Sequence, residues 1–148
     1  MTTRDPGQRS GAGTAGAFEE LMAEVMSAAA RFGHRQHVHL TWLAVRRYGL
    51  RPAIELVSDG IQQTARYAGA PQKYHATASR AWVEIIGHHA ARDDTHDFAA
   101  FASRHPALLD KRLLARHYSS AVLASQRARA GWAEPDVAPF PWPDPAAR

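Results

Sequence analysis

The chain has 148 residues, 45% of them hydrophobic and 22% charged, with a formal net charge of +4 and no cysteine. That length encloses a single hydrophobic core, and the missing cysteine excludes disulfides, thiolate-held zinc, iron–sulfur clusters and thiol nucleophiles. Of the 18 basic residues only Lys73 and Lys111 are lysine, leaving 16 arginines scattered along the chain, and no dense basic stripe with interleaved aromatics emerges that would read a phosphate backbone.

Residues 1–14 are mostly Gly, Thr, Ser, Arg and Pro without periodic apolar positions, the composition of a disordered leader. From Ala15 to Phe32, Phe18, Leu21, Met22, Val25, Met26 and Ala29 recur at helical steps, with Thr14 as N-cap and Gly33 as terminator. A second helical run, Gln36 to Tyr48, stops at Gly49. Pro52 in a first turn opens a third helix to about Tyr67, closed by Gly69 and Pro71. Gly60 weakens its middle by about 1 kcal/mol relative to Ala.

The fourth helix spans about His75 to Ala91, with Trp82, Ile85, Ile86 and His89 on its buried side and Arg80 and Glu84 at i,i+4 spacing. Short helical segments follow at His96–Ser103 and Ala107–His117, then a last helix from Ser119 to Trp132. The C-terminal stretch AEPDVAPFPWPDPAAR has five prolines and cannot continue a helix. Phe140 and Trp142 offer an apolar clasp across the body, or surface for a homodimer. Strand alternation is absent, so the expected fold is all-α: a compact single-domain bundle of about five to seven helices over residues 15–133, with the leader before it and the Pro-rich tail 134–148 packed on it.

No apolar stretch reaches the roughly 18 to 20 residues that cross a bilayer, and MTTRDPGQRSGAGTAG lacks the apolar middle of a signal peptide. The expectation is a cytoplasmic protein with no membrane or nucleic-acid partner. Walker A, G-x-S-x-G and Rossmann glycine patterns are missing, which leaves no nucleotide cofactor to expect.

With no cysteine, any metal falls to His, Asp, Glu or Tyr, and nine histidines are available. In Phe32-Gly-His34-Arg-Gln-His37-Val-His39-Leu-Thr-Trp42, His34 and His37 are three apart and share a helix face. His39 points elsewhere. The same H-x-x-H spacing also suits one capping histidine and one hydrogen-bonded core histidine. His75 opens the fourth helix in Lys73-Tyr74-His75-Ala-Thr77, where the helix dipole disfavours the imidazolium and keeps the ring neutral, as a ligand must be. Three histidines with a vacant fourth position would form a catalytic metal site, although the same residues can serve as metal-free acid and base. Glu84 and His88 share a face, but six glutamates in mostly solvated positions do not make a di-iron carboxylate centre.

The motifs F-x-H-x-x-H-x-x-L-x-W (residues 32–42), K-Y-H-x-T (73–77) and Y-S-x-x-x-L-x-S-x-x-A-R (118–129), followed by Pro135-Asp136, together resemble a mostly uncharacterised family of small bacterial all-helical proteins common in actinobacteria. The resemblance covers about residues 30 to 140. It implies that His34, His37, Tyr74, His75, Tyr118 and Arg129 share a pocket, and it leaves out His39, His88 and His89.

The resulting expectation is a small-molecule enzyme of specialised metabolism, with lyase, isomerase, cyclase or hydrolase chemistry. His34, His37 and His75 would hold a divalent transition metal such as zinc, copper or iron. Tyr74 or Tyr118 would move a proton, Arg129 would hold an anionic group of the substrate, and Trp42 would contact it. The alternative is a non-catalytic helical protein that binds metal or another ligand.

Overall fold

The computed structural model describes residues 6–142, with side chains from residue 16 onward. The tail beyond Trp142 and the first five residues of the expected leader lie outside the described residues. The protein is all-α. Its helices are α1 (Pro6–Met26), α2 (His34–Tyr48), α3 (Leu50–Tyr67), α4 (Ala76–Arg92), α5 (Phe98–Arg104), α6 (Ser120–Ala124) and α7 (Gln126–Ala130), with 3-10 turns at Pro71–Lys73, Pro106–Leu109 and Lys111–Arg116. None of the described helices is long and apolar enough to cross a membrane.

The first turns of α1 fall in the stretch read as a leader. Pro6 stands at the opening position of the helix, where a missing N–H costs nothing. The helix stops at Met26, short of the expected Gly33. There the Ser27 hydroxyl donates to the Glu24 carbonyl at 2.8 Å, a side-chain bond that competes with further helix. Chain 27–33 then leads to α2, where Gly33 N–H donates to the Gln36 side chain at 2.9 Å. A single residue, Gly49, separates α2 from α3, and its φ of +87° is a conformation that favours glycine.

Helices α2 and α3 pack on each other and both pack on α4. The last of these is the centre of the molecule, with every residue from Ala81 to His88 buried. Such all-round burial belongs to a core helix. Around it gather Leu21 and Val25 of α1, Val38, Leu40 and Trp42 of α2, Val57 of α3, and Phe98 and Phe101 of α5.

Two expected helices are broken. Residues 107–117 form two 3-10 turns interrupted at Asp110, whose carboxylate accepts from Arg112 N–H at 3.0 Å. Residues 119–132 form α6 and α7, interrupted at Ser125. Its ψ of 147° ends the first helix, while its hydroxyl accepts from Ala128 N–H and starts the second.

Candidate functional site

His75 is the N-cap of α4. Its Nδ1 accepts from Ala78 N–H at 3.0 Å, which places the ring proton on Nε2, and Nε2–H donates to the Leu123 carbonyl at 2.7 Å. Both nitrogens are committed, and no lone pair remains for a metal. The imidazole joins the start of α4 to the end of α6.

His34 is the first residue of α2. Its Nε2–H donates to the Leu108 carbonyl at 2.9 Å, and the ring meets Trp82 edge-on at 4.5 Å. Burial lowers its pKa. One turn on, His37 has an Nε2 sealed from solvent without a hydrogen-bond partner. Burial, with the neighbouring His34, pushes its pKa down to about 4. These two histidines do lie together, as their spacing predicts. The third does not join them as a ligand: among the described residues, no group of three His, Asp or Glu side chains is placed to hold one metal ion.

Tyr118 is 1% exposed and donates its hydroxyl to the Ala133 carbonyl at 2.8 Å. Burial and nearby carboxylates, Glu134 foremost, raise its pKa, so the phenol is a fixed neutral donor. Thr77 works beside it, donating to the Gly131 carbonyl at 2.7 Å and accepting from Ala133 N–H at 2.9 Å. Ser119 N–H donates to the Asp136 carboxylate, and the Ser119 hydroxyl caps α6. The motif residues His75, Thr77, Tyr118, Ser119 and Ser125 therefore stitch the C-terminal segment to itself and across the start of α4. Trp42, expected at the substrate, is instead 4% exposed in the core. Phe98 and Phe101 lie about it, and the Arg46 guanidinium stands 5.0 Å from its ring centroid.

Tyr74 and Arg129 face one cleft. It encloses about 280 Å³ and is lined as well by Gln62 of α3, Pro71 and Gln72 of the 3-10 turn, and Gln126 and Ala130 of α7. Arg129 Nη2 donates to the Gln72 carbonyl at 2.7 Å, which anchors the guanidinium and leaves its other N–H groups for a ligand. Tyr74 is half-buried, and burial together with the charge of Asp59 raises its pKa. The lining thus holds one cation, one neutral phenol and three amides, with no carboxylate or imidazole. Such a set is able to hold an anion and to read its hydrogen-bonding groups. The three glutamines come from separate segments with no common spacing, so periodicity carries no sign of them. Comparison with protein-family models, curated proteins and solved structures finds no match.

Proposed function

We propose that the protein is a small-molecule-binding helical protein whose ligand carries an anionic group held by Arg129. One observation supports this reading above the others: Tyr74 and Arg129, from two motifs 55 positions apart, line the same cleft. At roughly 30 Å³ per water in the liquid, the cleft volume matches about nine waters, which suits a ligand on the order of ten non-hydrogen atoms. Tyr74 donates its hydroxyl, and the amides of Gln62 and Gln126 supply both donors and acceptors. Binding is favoured over chemistry because neither a carboxylate nor an imidazole lines the cleft. A metal-dependent reaction at His34, His37 and His75 draws no support from a His75 whose two nitrogens are already bonded.

The test is a thermal-shift and NMR titration of the full chain with inorganic phosphate and a panel of small mono- and dicarboxylates. At least one probe should raise the melting temperature and shift backbone signals of residues 126–131. Arg129→Gln should weaken that probe by about 10- to 100-fold, the worth of a hydrogen bond to a charged group. Absence of any binding, or equal binding by Arg129→Gln, rejects the cleft. A zinc- or copper-induced rise in melting temperature that disappears in His34→Ala would favour the metal reading instead.

A further inference from the structure

His89 stands in the last turn of α4, and His105 caps the C-terminal end of α5. The end of a long helix such as α4 carries exposed carbonyls that favour a cation. The two rings face each other with centroids 5.0 Å apart and planes tilted by 48°. With metal–nitrogen bonds of about 2.0 to 2.1 Å, and each ring nitrogen about 1.2 Å from its centroid, two imidazoles on one tetrahedral ion have centroids roughly 5 Å apart. The observed separation meets that requirement.

A carboxylate holds one of the two rings. Asp93, the residue after α4, accepts from Thr95 N–H at 2.8 Å and from Arg104 Nη1 at 3.2 Å on Oδ1, while its Oδ2 accepts from His105 Nε2–H at 2.7 Å. The ring proton is thereby placed on Nε2 and the lone pair on Nδ1. A carboxylate behind a histidine in this way is the usual support of a metal ligand, fixing its tautomer and orientation. Among the described residues, nothing hydrogen-bonds to His105 Nδ1 or to either ring nitrogen of His89. Apolar neighbours limit how far the rings can turn: Phe101 lies 4.8 Å from His105, and Trp142 meets His89 edge-on at 6.4 Å. The His105 side chain is 24% exposed, which gives water a path to the pair. The surrounding charges balance, since Arg104 stands 3.2 Å from Asp93 and 3.5 Å from Asp94, and Arg92 ends α4. Arg104 is itself 60% exposed, so it can turn outward as a cation enters.

We propose that His89 and His105 bind a divalent zinc ion through His105 Nδ1 and one ring nitrogen of His89, with water completing the coordination and Asp93 positioning His105. The site is separate from the Arg129 cleft and from His34 and His37, and rests on neither. Two protein ligands leave two tetrahedral positions open, so the ion is exchangeable and can accept a further ligand from solution.

Zinc chloride, titrated into the chelator-treated full chain, is the probe, read by calorimetry and by the imidazole nitrogen signals in NMR. One equivalent should bind and shift the ring signals of His89 and His105. His89→Ala leaves the Asp93 to His105 bond in place, and it should weaken zinc by about 10- to 100-fold, as should Asp93→Asn. His34→Ala should bind zinc as the wild type does. No saturable binding, or binding that survives His89→Ala undiminished, overturns the proposal. Loss of binding in His34→Ala overturns it as well, since the ion would then belong to the other histidine pair. Equal affinity in Asp93→Asn removes the positioning role given to that carboxylate. Should a variant not fold, the wild type decides: zinc that moves the ring signals of other histidines and leaves those of His89 and His105 in place refutes the site.

Discussion

A Cβ built on Gly60 would lie 2.1 Å from Cδ1 and 2.5 Å from Cγ of Phe18, so the glycine of α3 is the floor on which the α1 aromatic ring rests. Helix propensity marks the same glycine as a weak point by about 1 kcal/mol. Packing reverses the sign. Gly60→Ala should lower the unfolding free energy by about 1 to 3 kcal/mol, the usual range for overpacking, in urea melts of the two proteins; a stabilised variant would mean that the ring swings aside freely. Gly87→Ala should be milder, because the atom met at 2.3 Å is the flexible end of Leu50. His75 shows a similar limit of reading by sequence. Its place at the start of α4 follows from Pro71 and the apolar pattern beyond it, but its role depends on the Leu123 carbonyl, 48 positions away. The spacing of His34 and His37 places them together, yet says nothing of the Leu108 carbonyl that accepts from His34 Nε2–H.

Helices α2, α3 and α4 were legible because their boundaries are local: Gly49, Pro52 and the Gly69–Pro71 break all lie at or near the ends they set. The C-terminal third was harder to read. Ser125 looks compatible with a continuous helix, and only its hydroxyl bond to Ala128 N–H, with its extended ψ, divides the segment. The division matters for the cleft, since α7 carries Gln126 and Arg129 and begins at that cap. Ser125→Ala should cost about 1 kcal/mol of stability, the typical worth of an N-cap. It should also weaken any ligand that depends on Arg129, measured in the same titration as Arg129→Gln. Lost stability with unchanged affinity would separate the cap from the cleft. The glutamines of the cleft were not legible at this scale, because an amide side chain on an exposed face has no periodic signature.

At the scale of the whole molecule, the pKa values of His34, His37, His39 and His89 are all lowered, with burial the leading cause for each. Each is a proton acceptor that the folded chain withholds and the unfolded chain offers. For His37 the window runs from the ordinary 6.5 to about 4. Between those values the unfolded state binds a proton that the folded state does not, so stability falls as the pH drops, and below about 4 the loss is complete. Asp93 behaves in the opposite sense. Its carboxylate accepts from His105 Nε2 at 2.7 Å and from Thr95 N–H at 2.8 Å, and these bonds, His105 first, hold its pKa down to about 2. The stability it contributes is present above the ordinary value of 3.8 and disappears as the pH falls toward 2. Acid unfolding should therefore proceed through two windows, one from histidine and one from carboxylate. Urea melts at constant ionic strength from pH 8 to 2.5 should separate them. His37→Leu should flatten the upper window by about 3 kcal/mol, its share of the proton linkage, while Asp93→Asn should change only the lower one. An upper window unaltered by His37→Leu would show that this imidazole takes up its proton in the folded protein as readily as in the unfolded chain.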